Sequence, residues 1–257
     1  MTKTQRLVGA MAALIIVASA EAQPAQPPTA AVNIVLVHGA LIDGSSWRGV
    51  YDVLTRDGYR VSIVQQPLTG LVDDVAATKR VIDQQQDGAV VLVGHSYGGT
   101  IITVAGADPK VRALVYVAAL QPDVGETTNQ LAASMPGAVR SGDLKPTKDG
   151  VIFFDSTKFA ADVAADLPPA QAKFMANSQM PVAAAAFDAP VTVAAWHDKP
   201  SYGIVATADR ELNPMLARWM YNRSGAKVTE IKGSHLVFIS QPGAVARVIE
   251  TAARDIK

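Results

Sequence analysis

The chain has 257 residues, of which 49% are hydrophobic, so it is long enough to bury the core of one sizeable domain. Its 23 lysines and arginines balance 23 acidic residues, and no basic run is present, which argues against nucleic acid as a partner. The chain has no cysteine, which excludes disulfides, thiolate metal sites, cysteine nucleophiles and a lipid-anchoring cysteine.

The N-terminal segment has the pattern of a secretory signal peptide, predicted over residues 1–22. Lys3 and Arg6 precede an apolar segment, 7–18, that is too short to span a bilayer comfortably and is followed by small residues. An uncleaved membrane anchor is the alternative interpretation. Residues 23–31 contain three prolines and are predicted to be a disordered lead-in. We therefore expect an exported protein, periplasmic or secreted, with no stable membrane association after cleavage.

From residue 32 onwards, short apolar strands alternate with amphipathic helices. Strands are predicted at 33–37, 60–64, 89–93, 113–118, 202–206 and 228–231. Helices follow several of them, with Val72 expected on the inner face of the helix at 71–84 and Trp219 on that of the helix opened by Asn213-Pro214. The alternation predicts an α/β domain over 32–257, with a mostly parallel, doubly wound sheet.

Between about residues 120 and 199 the strand–helix rhythm breaks, which predicts a cap inserted between two strands. This stretch is rich in Ala, Pro and Asp and contains clustered aromatic residues and methionines. Such side chains either face a site below the cap or fasten the cap to the domain, and the sequence favours neither. The candidate substrate contacts are Phe153, Phe154, Phe174, Met180 and Trp196 in the cap, together with Leu41 and Leu236 outside it.

The segment 89–105 combines a buried strand, the motif GHSYG at 94–98 and an apolar helix. Strand, G-x-S-x-G and helix in this order are typical of a nucleophile elbow, with Ser96 at its tip. A serine in such a sharp turn has strained backbone geometry, so its neighbours need to be almost free of side chain. Gly94 and Gly98 meet that need, and Ser96 is the predicted nucleophile.

A serine hydroxyl needs a general base, and the chain has only four histidines. His38 and His95 lie beside glycine turns, and His197 lies in a polar stretch at the edge of the cap. His235 follows the last predicted strand, at the sheet edge where parallel folds collect their active sites. His235 is therefore the predicted base.

The third member of a triad has to orient the imidazole and stabilise its cation. Asp209 is the predicted acid because it follows the strand at 202–206 and lies between serine and histidine in the chain. Glu211 and Asp123 are competing candidates. The order nucleophile, acid, base differs from that of trypsin-like and subtilisin-like proteases.

A developing oxyanion needs hydrogen-bond donors that already point at it. One predicted donor is the backbone N–H of Tyr97, the residue after the serine. The second is expected from the loop after the first strand, from Ala40 rather than Leu41, with Gly39 letting the backbone turn towards the site.

Four motifs together resemble the α/β-hydrolase superfamily: VLVHGA at 35–40, LVGHSYGG at 92–99, ATAD at 206–209 and IKGSH at 231–235. The resemblance is greatest to the plant methylesterase and hydroxynitrile lyase group and its bacterial esterase relatives. It implies Ser96, Asp209 and His235 as the triad and Ala40 and Tyr97 as oxyanion donors.

Two positions depart from the hydroxynitrile lyases of that group. Those enzymes have a threonine where this chain has Gly39, and a lysine where it has Leu236. Both departures favour ester hydrolysis.

The sequence thus predicts a serine hydrolase that cleaves a small or medium carboxylic ester through an acyl-enzyme, without a cofactor or metal. A hydroxynitrile lyase-like reaction and a non-catalytic ligand-binding protein on the same fold are the alternatives. The identity of the ester and the oligomeric state stay open. A dinucleotide-binding reductase is disfavoured because G-x-G-x-x-G is absent, and a zinc enzyme because H-E-x-x-H is absent.

Overall fold

The computed structural model describes residues 32–85, 87–135 and 144–256. The predicted signal peptide and the lead-in, residues 1–31, lie outside the described residues. Within the described ranges, no helix has both the length and the hydropathy that crossing a membrane requires.

Nine strands and ten helices make up the described part of the chain. The first half contains β1 (Asn33–Val37), a 3₁₀ turn (Gly44–Trp47), α1 (Arg48–Arg56), β2 (Arg60–Val64), α2 (Leu71–Asp83), β3 (Val90–His95), α3 (Gly98–Ala105) and β4 (Val111–Val117). Next come α4 (Thr128–Ala133), β5 (Leu144–Pro146), β6 (Val151–Phe154), α5 (Ser156–Asp162), α6 (Pro169–Asn177), β7 (Val182–Ala183), α7 (Ala185–Asp188) and a 3₁₀ turn (Ala195–His197). The chain ends with β8 (Ser201–Ala206), α8 (Pro214–Arg223), β9 (Lys227–Ile231), α9 (Val237–Ser240) and α10 (Pro242–Asp255).

The central sheet has six parallel strands in the order β2-β1-β3-β4-β8-β9. Strands β1 and β3 are buried along their whole length, as their unbroken apolar sequences predict. The register pairs Val37 with Gly94 and His95 with Val117, so the ends of β1, β3 and β4 lie side by side. The predicted mostly parallel α/β sheet is confirmed.

Helices cover both faces of the sheet. On one face, α2, α3 and α8 bury Ile82, Ile101 and Met220 against the strands. On the other face, α1 and α10 bury Leu54 and Ile249. Because both faces are covered, the carboxyl edge of the strands is where a ligand can reach the sheet.

Two predictions about helix faces are wrong. Val72 is 80% exposed, because the inner stripe of α2 runs through Leu71, Val75 and Ile82 rather than through its neighbour. Trp219 is 40% exposed on α8, where the Arg223 guanidinium lies 4.6 Å from its ring.

The segment between β4 and β8 covers the carboxyl edge of the sheet. It contains a small antiparallel sheet of β5, β6 and β7 and the helices α4 to α7. Backbone hydrogen bonds tie it to the domain, from Met180 N to Leu41 O (3.3 Å) and from Ala183 N to Leu68 O (2.8 Å). We refer to this segment, residues 118–200, as the cap. Its residues 136–143 lie outside the described ranges.

Candidate active site

The turn between β3 and α3 holds Ser96 in a backbone conformation that side chains rarely adopt, with φ at +52°. Gly94 and Gly98, two residues before and after it, have no room for a side chain. A Cβ on Gly94 would lie 2.5 Å from the carbonyl oxygen of Gly98, and a Cβ on Gly98 would lie 2.7 Å from that of His38. The glycines therefore let the elbow pack tightly while Ser96 stays at its tip.

Three side chains predicted as a triad form a continuous hydrogen-bonded chain. The Ser96 Oγ lies 2.9 Å from Nε2 of His235, and His235 Nδ1 lies 2.8 Å from Oδ2 of Asp209. A carboxylate can only accept, so Nδ1 carries the proton and Nε2 accepts from the serine hydroxyl. The residues follow β3, β8 and β9, whose carboxyl ends meet at one edge of the sheet.

The acid of this chain is itself held in place. Oδ1 of Asp209 accepts hydrogen bonds from the backbone N–H groups of Glu211 and Leu212, both at 2.8 Å. Asp209 and His235 are both buried, 8% and 4% exposed. The buried carboxylate thus has partners on both oxygens, which fixes the imidazole it contacts.

The electrostatic environment makes His235 more basic than an ordinary histidine. Burial alone would lower its pKa, but the negative charges of Asp209 and Glu211, with the hydrogen bond to Asp209, outweigh burial and raise the pKa above 6.5. The imidazole is therefore suited to take a proton from a hydroxyl group.

Two other histidines near the site are held by backbone contacts. Burial lowers the pKa of His95 well below 6.5, and its Nε2 donates to the carbonyl oxygen of His235 at 3.0 Å. His38 Nε2 accepts from the Gln66 N–H at 3.2 Å, and burial lowers its pKa too. Both rings stay neutral and brace the loops around the serine.

His197 and Asp123 lie elsewhere on the molecule. Nε2 of His197 lies 2.9 Å from Oδ1 of Asp123 in a partly exposed pair, and neither residue lines the cavity above Ser96. Asp123, one of the competing acids, is thus engaged away from the imidazole of His235.

Ala40 and Tyr97 are the predicted oxyanion donors. Both residues line the same cavity as Ser96. Among the hydrogen bonds of the described residues outside helices and strands, none is donated by the backbone N–H of Ala40 or Tyr97. Their role as oxyanion donors stays a prediction.

Asp74 is a buried carboxyl group that the sequence reasoning missed. Its Oδ2 accepts from the Tyr97 hydroxyl at 3.0 Å, and its Oδ1 accepts from the Leu68 N–H at 2.8 Å. Burial raises the pKa of Asp74 to about 6. The Asp74 carboxyl group thus anchors Tyr97, the residue that follows Ser96. The one sequence signal that could have indicated this contact is the position of Asp74 among the buried residues of α2.

Beneath the cap lies an apolar cavity of about 80 Å³ that opens onto Ser96. Leu41, Phe154 and Leu236, all predicted as substrate contacts, line it. Phe159, one of the clustered aromatic residues of the cap, and Phe187 also line it, although neither is among the predicted substrate contacts. The cap elements are too short for a hydrophobic periodicity that would separate the residues facing the cavity from their neighbours.

The structure does not bring the other four predicted contacts, Phe153, Phe174, Met180 and Trp196, into the lining of this cavity. Phe153 is 44% exposed because it lies on the opposite face of β6 from Phe154. Phe174 is 70% exposed and lines a separate surface groove. Met180 bridges to Leu41 through the backbone. Trp196 is buried with its Nε1 donating to Pro122 O at 2.8 Å.

Asp166 joins the cap to the loop that carries His235. Its Oδ2 accepts from Ser234 N at 2.9 Å and from Ser240 Oγ at 2.7 Å, and its Oδ1 accepts from Ser234 Oγ. Burial opposes ionisation, but these hydrogen bonds hold the pKa of Asp166 below its ordinary value. The carboxylate of this cap residue therefore supports the loop that carries His235, and no local sequence pattern marks it.

Within the described ranges, no group of three or more His, Asp or Glu side chains is arranged to hold a metal ion.

Comparisons with known proteins find relatives that are named as esterases. The chain is 35% identical over 121 residues to the carbendazim hydrolyzing esterase of Nocardioides sp., which is 42% of this chain and 48% of the relative. It is 29% identical over 105 residues to methylesterase 8 of Arabidopsis thaliana, 35% of this chain and 39% of the relative. These matches thus span less than half of either relative.

A solved structure shares the fold. The crystal structure of the pyrethroid hydrolase PytH superposes with a TM-score of 0.76 at 21% identity, covering 88% of this chain and 100% of that one. A family model, the alpha/beta hydrolase family, matches residues 34–248. The predicted resemblance is confirmed, and the chain belongs to the alpha/beta hydrolase family.

Proposed function

We propose that this protein is a serine hydrolase that cleaves small or medium carboxylic esters through an acyl-enzyme intermediate. The observation that carries the proposal is the hydrogen-bonded chain from Ser96 through His235 to Asp209, at 2.9 and 2.8 Å. Relatives named as esterases and hydrolases support the same reaction class.

In the proposed reaction, Ser96 Oγ attacks the ester carbonyl while Nε2 of His235 takes its proton. Asp209 stabilises the imidazolium that forms. The tetrahedral oxyanion accepts hydrogen bonds from the N–H groups of Ala40 and Tyr97, and each such donor contributes about 3–4 kcal/mol of transition-state stabilisation in enzymes where one has been removed.

The intermediate collapses when the C–O bond to the alcohol breaks and the alcohol leaves with the proton from His235. Water then enters, gives a proton to His235 and attacks the acyl carbonyl. The acid departs as Ser96 regains its proton. No further reactant is needed.

The dimensions of the cavity support a small acyl or alcohol part. About 80 Å³ of space lined by Phe154, Phe159 and Phe187 accepts a short apolar group more readily than a long chain. Activity is therefore expected to fall as the group buried beneath the cap grows longer.

A lyase reaction is less well supported. The hydroxynitrile lyases that the sequence resembles have a threonine at the position of Gly39. Here a Cβ at that position would lie 2.8 Å from Cβ of Ser96 and 2.9 Å from Nδ1 of His95. The backbone of this chain is thus shaped for glycine, and the lysine of those enzymes is replaced by the buried Leu236.

The test is turnover of p-nitrophenyl acetate, butyrate and octanoate by the purified protein. We expect multiple turnovers with the two shorter esters, weaker activity with octanoate, and background rates for Ser96→Ala with unchanged melting temperature. A protein that binds these esters without turning any of them over would instead be a ligand-binding member of the fold. Export is a separate proposal that rests on residues 1–22 alone.

A further inference from the structure

Two buried threonines, Thr100 and Thr128, share a hydrogen bond at the wall of the cavity. Thr100 lies on α3, four residues after Ser96, and is fully buried. Thr128 lies on α4 of the cap and lines the cavity. Their Oγ1 atoms are 2.9 Å apart. The cap and the helix that follows the predicted nucleophile therefore meet at this pair of hydroxyl groups.

The two hydroxyl groups carry two hydrogens but share one hydrogen bond. In the part of the chain that the structure describes, neither hydroxyl has a second hydrogen-bond partner. A threonine in a helix commonly donates to the carbonyl oxygen four residues earlier, as Thr103 does to Gly99 at 2.9 Å. For Thr100 that oxygen belongs to Ser96, and it accepts instead from the backbone N–H groups of Gly99 and Leu120. One of the two hydroxyl hydrogens is therefore left without an acceptor.

Burial determines which hydroxyl keeps the unpaired hydrogen. A buried donor without an acceptor costs free energy, because its hydrogen bond to water is lost on folding and not replaced. The Thr100 hydroxyl is enclosed by the core, so its hydrogen is best placed in the bond to Thr128. The hydrogen of Thr128 then points into the cavity, where a bound molecule can accept it. Accepting from Thr100 also polarises the Thr128 hydroxyl and makes it a stronger donor.

Other polar side chains of the cavity wall donate to partners outside it. The side-chain amide of Asn129, the residue after Thr128, donates to Oδ1 of Asp188 at 2.6 Å. The Tyr97 hydroxyl donates to Asp74 at 3.0 Å. Neither of these two carboxylates lines the cavity. The Thr128 hydroxyl differs from them because its donor is left for a molecule that binds beneath the cap.

The place of Thr100 on α3 sets how far this donor lies from the reacting carbonyl group. Four residues at a rise of about 1.5 Å put Thr100 roughly 6 Å beyond Ser96 along the helix. In an acyl group attached to Ser96, the atoms at that depth are roughly the third and fourth of the acyl chain, counted from the carbonyl carbon.

We propose that Thr128 determines specificity for acyl groups that carry a neutral acceptor oxygen, such as an ether or carbonyl oxygen, at the third or fourth chain atom. This inference rests on the proposed ester hydrolysis. An oxygen at that place accepts from the Thr128 hydroxyl, whereas a methylene group leaves the hydroxyl hydrogen unpaired in an apolar space. A site that is built to donate a hydrogen bond discriminates against the analogue that cannot accept it.

The experiment compares two pairs of p-nitrophenyl esters in which an ether oxygen replaces one methylene group. Methoxyacetate is paired with butyrate, and 3-methoxypropionate with valerate. Each kcat/KM is divided by the rate constant for hydroxide hydrolysis of the same ester, which removes the difference in intrinsic reactivity. For the wild type we expect this normalised kcat/KM to be about ten-fold higher for the ether in at least one pair, the size of one hydrogen bond.

Thr128→Val keeps the branched shape and removes the hydroxyl. We expect it to lower the ether-to-alkyl ratio about ten-fold, whereas Thr128→Ser, which keeps the hydroxyl, should preserve most of the ratio. Thr103→Val is the matched control, because Thr103 lies on the same helix and shares a hydrogen bond with the Tyr116 hydroxyl at 3.0 Å, while neither residue lines the cavity. A variant that is merely destabilised loses activity on both esters of a pair, so its ratio does not move.

The outcomes separate the two proposals. If the esters are hydrolysed and Thr128→Val leaves the ether-to-alkyl ratio of both pairs unchanged, the role of Thr128 is refuted while ester hydrolysis stands. If Thr128→Val does not fold, the wild type decides, because a normalised preference for the alkyl ester, or none, in both pairs refutes the role. If no ester of either pair is hydrolysed, ester hydrolysis fails, and the role of Thr128 fails with it.

Discussion

The carboxyl edge of the sheet and the cap contribute to the candidate site in different ways. The sheet edge supplies Ser96, Asp209 and His235 from loops that follow directly on buried strands. The cap supplies Phe154, Phe159 and Phe187 from short elements that wrap over the edge. The predicted triad thus lies on loops that follow buried parallel strands, whereas the aromatic lining of the cavity lies on the short elements of the cap.

Asp166 connects these two regions. It belongs to the cap, yet it accepts three hydrogen bonds from Ser234 and Ser240, which flank the loop of His235. Asp166 is thus a cap residue that supports a loop of the sheet edge.

The largest effect is expected from Asp209→Asn, on the sheet side. The amide stabilises the imidazolium poorly and favours the wrong tautomer of His235, so we expect kcat to fall by about 10³-fold or more with little change in melting temperature. The measurement is steady-state hydrolysis of p-nitrophenyl acetate together with thermal unfolding.

Asp123→Asn serves as its control. Asp123 is paired with His197 away from the cavity, and its variant should retain near-normal rates. If Asp209→Asn were nearly as active as the wild type, another carboxylate would have to act as the acid.

A smaller effect is expected where the cap meets the edge. Asp166→Asn replaces one accepting oxygen by a donor, so the loop at 233–240 should become more mobile and kcat should fall about ten-fold. Amide hydrogen exchange measures the mobility and should be faster in that loop alone. Steady-state hydrolysis of p-nitrophenyl acetate measures kcat. Unchanged exchange and rate would show that the cap gives the histidine no support.

Acidification should weaken the same contact. The pKa of Asp166 is lowered in the folded protein, so its contribution to stability is complete above the ordinary aspartate pKa of 3.8 and is lost as pH falls through the lowered value. Asp188→Asn, a change at an exposed position of the cap, is the matched control.

The smallest effect is expected within the cap. Phe159→Leu keeps an apolar side chain but shortens it, so it should cost about 1 kcal/mol of stability and raise the butyrate-to-acetate preference several-fold. Phe174→Leu, at a position 70% exposed, should change stability by less than about 0.5 kcal/mol and leave the preference unchanged. If both variants changed the butyrate-to-acetate preference equally, the cavity beneath the cap would not be the acyl-binding region.

The same contrast explains what could be predicted from the sequence. The sheet, the elbow and the positions of Ser96, Asp209 and His235 follow from local signals: buried apolar runs, glycines around a serine, and polar residues just after strands. Parallel strands bring those ends together whatever the intervening chain does. The catalytic roles of these residues stay a prediction that the geometry supports.

The cap was less predictable because its elements are short and their side-chain directions depend on tertiary packing. Phe153 and Phe154 are neighbours in sequence, yet the pleat of β6 turns one outward and the other into the cavity. Asp166 and Asp74 were missed for a related reason. Their partners, Ser234 and Tyr97, are 68 and 23 residues away in the chain, so no local pattern joins them.

The most direct test of the central claim is covalent trapping with a p-nitrophenyl alkylphosphonate, followed by peptide mass spectrometry. The phosphonyl group should add to Oγ of Ser96 as p-nitrophenolate leaves, once per chain, and Ser96→Ala should remain unlabelled. A protein that resists the probe while folded, or that carries the adduct on another residue, would contradict the account.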